Sequence, residues 1–173
     1  LKYLNTENEV YRERGFVDSG HGELVETVNE LREVVWQGGV VLLGDPGSGK
    51  STTLQRLTYE FAVEAVEDET KPLPLLVPLG AYSGGGLEAH IGTYFGGLTL
   101  SEYLPNRVIV LLDGLNEMPR ERVPDVEAWL RNHRETLAVV TCRKLDYAAL
   151  KALPLRRVDV APLDVNRIRA FIG

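Results

Sequence analysis

Apolar positions along the chain fall into two alternating patterns. Short, nearly all-apolar runs occur at residues 40–43, 107–112 and 137–141. Runs of that length suit strands covered on both faces. Between them the apolar positions take helical spacing. Leu24, Val28, Leu31 and Val35 predict a helix over residues 23–36, stopped by Gly38-Gly39. Leu54, Leu57 and Phe61 predict another over 51–65. Further helices are expected at 87–95, 123–134, 145–150 and 164–172, the last capped by Asp164. Residues 73–79 read as a strand carrying Pro74 and Pro78. Proline cannot donate to a ladder, so this strand belongs at a sheet edge. Residues 156–160 supply a last strand, and residues 1–20 are polar and irregular. Strands alternating with helices give an α/β fold with a parallel sheet covered on both faces. The expected division is a leading segment, 1–20, and a core, 21–173.

Composition narrows the class. The 173 residues fit one domain, and 44% hydrophobic content is enough for a real core. The net charge is −6. It divides unevenly, with 7 basic and 15 acidic residues up to position 100 and 12 and 10 after it. No polybasic run is present, which argues against nucleic acid as a direct ligand. No apolar stretch approaches the ~20 residues of a membrane span. A single cysteine, Cys142, excludes an internal disulfide and suits a reducing, cytoplasmic setting. His21, His90 and His133 are scattered without ligand spacing. The opening Leu1-Lys2-Tyr3-Leu4 is neither a signal peptide nor a Met start, so a piece of a longer protein is expected.

The chemistry gathers at three strand ends. The first reads Gly44-Asp45-Pro46-Gly47-Ser48-Gly49-Lys50-Ser51-Thr52 and matches G-x-x-x-x-G-K-[ST] between a strand and a helix. Glycines let the backbone curl until several N–H groups face one anion, and the helix that follows adds its positive end. Lys50 is placed to reach the β- and γ-phosphates of a nucleoside triphosphate, and the Ser51 hydroxyl to ligate Mg²⁺. At the second end, the strand over 107–112 runs into Asp113-Gly114-Leu115-Asn116-Glu117. Asp113 is a candidate Mg²⁺ ligand through water, and Glu117 a candidate base for an attacking water. At the third, Thr141-Cys142-Arg143 puts Thr141 and Arg143 where they could touch the γ-phosphate, a role that suits an always-charged, bidentate guanidinium. Lys50, Glu117 and Arg143 form the candidate catalytic set.

GDPGSGKST, then VIVLLDGLNE, then VVTCR resembles the NACHT branch of the STAND ATPases, relatives of AAA+ proteins within the P-loop NTPase class. The resemblance extends over nearly the whole chain. Phe16-Val17 with the helix after it is similar to the family's pre-loop segment, residues 74–79 to its second strand, and 158–163 with the helix that follows to the close of its nucleotide-binding core. The glycine loop alone is specific only to P-loop NTPases. The D-G-x-x-E signature behind a buried strand is what points to NACHT.

The resemblance implies a three-layer P-loop NTPase fold whose five-stranded parallel sheet has the order 5-1-4-3-2. It implies ATP/ADP and Mg²⁺ as ligands. It also implies a signal-transduction switch in an NLR-like protein, one form of bacterial defence. ADP would hold a closed monomer, and ATP with an upstream signal would permit homo-oligomerisation. Effector and sensor domains would flank this module, and helical and winged-helix regions beyond residue 173 would complete the pocket. The family often reads D-G-x-D-E. Here the fourth position is Asn116, an amide that cannot act as a base, which leaves Glu117 in that role. Other functions fit the same motifs: a module that holds nucleotide without significant hydrolysis, or an ordinary P-loop kinase, which would need an acceptor pocket.

Overall fold

The apolar runs become strands. The structure is a computed structural model and describes residues 16–18, 24–25, 28–96, 107–150 and 153–160. Its strands are β1 (Phe16–Asp18), β2 (Leu24–Val25), β3 (Val40–Gly44), β4 (Leu73–Pro78), β5 (Val108–Asp113), β6 (Ala138–Arg143) and β7 (Arg156–Val160). Its α-helices are α1 (Val28–Gln37), α2 (Lys50–Glu67), α3 (Leu87–Tyr94), α4 (Val123–Asn132) and α5 (Lys144–Ala148).

These strands form one sheet in the order β2-β1-β7-β3-β6-β5-β4. The run from β7 to β4 is parallel throughout. Counted among those five strands alone, the order is 5-1-4-3-2. Pro74 and Pro78 do lie on an edge strand, since β4 pairs only with β5 among the described strands. At the other side the sheet continues. β1 pairs antiparallel with β7, Phe16 opposite Val160, and β2 folds back onto β1.

The first helix begins later than its apolar stripe predicts. Leu24 and Val25 belong to β2, and α1 starts at Val28. Leu24 satisfies the helical stripe and an extended pair equally well, so spacing cannot decide between them. The expected helix at 164–172 lies outside the described residues.

Alternation along each central strand divides the core into two layers. Val40 and Leu42 face the α1/α2 side with Ile109, Leu111, Val139 and Val158. There they meet Leu31 and Val35 from α1 and Leu54, Leu57 and Phe61 from α2. Val41 and Leu43 face the opposite side with Val110, Leu112 and Val140, against Ile91 of α3 and Val126 and Trp129 of α4. Each fully buried aliphatic side chain contributes roughly 1.5–3 kcal/mol relative to exposure. The result is three layers, helix–sheet–helix, with β3, β5 and β6 buried at the centre. Arg32 fastens α1 to α2 through Glu64 at 3.1 Å. Tyr82 donates to Asp125 at 2.8 Å and ties the segment before α3 to α4.

Candidate phosphate-binding site

Parallel order brings the carboxyl ends of β3, β5 and β6 to one rim, the usual place for ligands in an open α/β sheet. The register is specific: Gly44 stands opposite Arg143, and Pro78 opposite Asp113. All three predicted strand-end motifs therefore converge. A cleft of about 330 Å³ on this rim is lined by loop residues with Lys50, Ser51, Asp113, Asn116, Glu117 and Arg143.

The loop between β3 and α2 turns at Asp45, whose carbonyl accepts from the Ser48 N–H at 3.1 Å. Gly49 sits at the N-cap of α2 with φ 81°. That left-handed conformation costs a residue with a Cβ but not glycine. Thr53, 0% exposed, bonds the Gly49 carbonyl with both its N–H and its hydroxyl, which anchors the first turn. The first N–H groups of a helix have no acceptor within it, which suits this end of α2 to an anion.

Lys50 folds back over the loop. Its Nζ donates to the carbonyls of Gly44 and Asp45, each at 2.9 Å. Burial, and secondarily the charge of Arg143, hold its pKa below the ordinary lysine value. Asp45 and Asp113 act in the opposite direction and offset part of this. An anion placed beside the two cations would favour the charged ammonium further.

Asp113 joins the loop to β6. Its Oδ1 accepts from the Ser51 hydroxyl at 3.2 Å and from the Thr141 hydroxyl at 2.5 Å. Thr141 in turn accepts the Gly114 N–H at 2.8 Å. Because Thr141 Oγ1 receives that N–H, its own proton is committed to Asp113. Thr141, expected beside the γ-phosphate, lines the cleft, and its hydroxyl is engaged in holding Asp113 toward Ser51.

Gly114 has φ 82°, and a Cβ there would lie 2.9 Å from the Glu117 carboxyl carbon. The turn Leu115–Glu117 follows, closed by Glu117 N–H to the Gly114 carbonyl at 2.8 Å. Glu117 therefore curls back over Gly114 and remains exposed at the cleft. Asn116 spends its carbonyl oxygen on the Arg143 backbone N–H at 3.0 Å. An aspartate there could accept the same bond, so the amide keeps the clasp between the β5 turn and the end of β6.

The residues also fit a hard cation. A hydroxyl and a carboxylate oxygen 3.2 Å apart are the oxygen donors that Mg²⁺ takes alongside phosphate and water. No cluster of three or more His, Cys, Asp or Glu side chains suited to a metal occurs among the described residues. Cys142 is fully buried next to the loop, and burial with the nearby Asp146 charge pushes its thiol up to about 11. No helix among the described residues is long and apolar enough to cross a membrane.

No family model matches the chain, and no curated protein matches it. Among solved structures it is similar to C. elegans PCH-2, at 13% sequence identity and a TM-score of 0.48. That match covers 76% of this chain and 41% of the PCH-2 chain, so this chain spans less than half of that protein.

Proposed function

We propose that this chain is a nucleotide-binding switch module of the NACHT type, which binds ATP or ADP with Mg²⁺ and hydrolyses ATP slowly. The observation that carries the proposal is the meeting of Ser51 with Asp113 at 3.2 Å, at the mouth of a loop whose lysine is desolvated. A loop built only as a turn has no need to bring a strand-end carboxylate from 62 positions away to its serine.

The roles follow from the chemistry of each side chain. The loop over residues 44–52 receives phosphate oxygens on backbone N–H groups, helped by the positive end of α2. Lys50 exchanges its two carbonyl partners for β- and γ-phosphate oxygens. Ser51 and Asp113 hold Mg²⁺, which when bound offsets charge on the phosphates. Glu117, exposed and carried on the turn after Asp113, takes a proton from the attacking water. Arg143 senses the γ-phosphate from the end of β6, where the Asn116 clasp fixes its backbone. A switch needs the phosphate state to be felt elsewhere. The chain Ser51–Asp113–Thr141 and the Asn116–Arg143 bond give a direct connection from loop to β6. Oligomerisation and flanking effector and sensor domains belong to the same reading.

The test is turnover with γ-labelled ATP and Mg²⁺. Label should appear in free phosphate, slowly, and Glu117→Gln should lower the rate about 10²-fold or more with nucleotide affinity retained. Label passing to a small metabolite would make the protein a kinase. Turnover indifferent to Glu117→Gln would leave a module that only holds nucleotide.

A further inference from the structure

Gly80 stands just past the end of β4, in a single 3₁₀ turn over Leu79–Ala81. Its φ is not positive, so the backbone there makes no demand for glycine. What the position lacks is room. A Cβ built on Gly80 would lie 3.3 Å from Oε2 of Glu117 and 3.5 Å from its Cβ. A glycine of ordinary conformation with a neighbour this near marks a close approach rather than a turn requirement.

The same oxygen lies against a second glycine. A Cβ on Gly114 would come within 2.9 Å of Glu117 Oε2. The two glycines follow neighbouring strand ends, since β4 and β5 pair with Pro78 opposite Asp113. The Glu117 carboxylate therefore occupies space that two missing side chains leave open.

The Gly80 side of this slot is held in place. Leu79 is fully buried, and Tyr82 is 2% exposed. The Tyr82 N–H donates to the Leu79 carbonyl at 3.0 Å and closes the turn. The Tyr82 hydroxyl donates to Asp125 of α4 at 2.8 Å, and the His90 ring of α3 meets the Pro78 carbonyl at 3.2 Å. Glu117, by contrast, is exposed, and its carboxylate ends a flexible side chain. A methyl group at position 80 would therefore displace the carboxylate rather than the turn.

We propose that Gly80 is a positioning residue for Glu117: the bare backbone at the end of β4 sets where Oε2 stands at the cleft. The inference rests on the reading above, in which Glu117 acts as the base, and deepens it. In that step the water oxygen bonds to the γ-phosphorus, its proton passes to the carboxylate, and the bond to the β–γ bridging oxygen breaks to release ADP. A base displaced from its water slows this step and leaves phosphate binding alone, because that binding belongs to the loop between β3 and α2. The edge strand of the sheet thereby acquires a part in catalysis without touching the nucleotide.

The test is Gly80→Ala in the full chain. Its φ suits alanine, so the fold should hold, with a melting temperature close to that of the unmodified protein. A displacement of a few tenths of an ångström should lower kcat about tenfold, with KM and ATP affinity unchanged. In a Glu117→Gln background, where the base is already gone, Gly80→Ala should lower turnover no further. Independently of turnover, the ¹³C resonance of the Glu117 side-chain carboxyl should shift in Gly80→Ala. An unchanged kcat, an equal loss in both backgrounds, or an unmoved carboxyl resonance would overturn the proposal. Turnover of the parent chain indifferent to Glu117→Gln would overturn the functional reading instead, and the carboxyl resonance would still decide whether Gly80 positions Glu117.

Discussion

Thr141→Val isolates the side chain that links the Asp113 carboxylate, the proposed Mg²⁺ ligand, to β6. Valine matches threonine in shape, so no cavity opens, but both hydrogen bonds of the hydroxyl disappear. The bond to Asp113 is charge-assisted and worth about 1.5–3 kcal/mol, and the Gly114 N–H left without its acceptor costs about 1–3 kcal/mol. The two losses share one atom and are not independent, so a total of about 2–4 kcal/mol is expected. For a chain of this size that corresponds to about 4–16 °C in melting temperature. Urea denaturation measures the stability. A second readout separates positioning from stability: with Asp113 no longer held toward Ser51, the Mg²⁺ concentration needed for half-maximal ATP binding should rise about tenfold. Thr141→Ser keeps the hydroxyl and loses one methyl, about 0.8 kcal/mol. It should restore the Mg²⁺ dependence. A Thr141→Val protein with wild-type Mg²⁺ dependence, or a Thr141→Ser protein as impaired as the valine variant, would refute the reasoning.

The remaining predictions rest on other contacts. Gly114→Ala puts a Cβ on a backbone at φ 82° and against the Glu117 carboxyl; stability should fall by about 1–2 kcal/mol and turnover should fall further than affinity, both measurable on the same preparation. Lys50 has a folded pKa below 10.5. Below that folded pKa it is charged in both states and the burial penalty is full; the penalty fades as pH rises toward 10.5, so this group's contribution favours folding more at higher pH. Phosphate binding favours the ammonium, so ATP affinity should fall as pH climbs through the same window, and Lys50→Met should flatten that dependence when titrated calorimetrically. Cys142, buried and raised to about 11, should resist a disulfide reagent in the native state and label at a rate that tracks unfolding in denaturant; rapid labelling without denaturant would contradict its placement.

Some of this was legible in the residues because local chemistry demanded it. Two prolines sent β4 to an edge. All-apolar runs marked strands buried on both faces. The glycine loop carried its own strand and helix with it. The rest depends on register, which no single segment encodes. Phe16–Asp18 is too short to show alternation, and only its pairing with β7 makes it a strand. Thr141 meets Asp113 because β5 and β6 run with Leu112 opposite Val140, so the bond belongs to the sheet rather than to either sequence. Asn116 is similar: as a letter it reads as a lost acid, yet in place it is a clasp on the β6 backbone.

The central claim is that the loop from Gly44 to Thr52 binds a nucleoside triphosphate with Mg²⁺, and calorimetry with ATP, ADP and the Lys50→Ala variant tests it most directly. The account predicts saturable one-to-one binding to the unmodified chain. In the variant, the lost charge-assisted contacts should weaken it roughly 10- to 100-fold. No measurable binding to the unmodified chain, or equal affinity in Lys50→Ala, would contradict it.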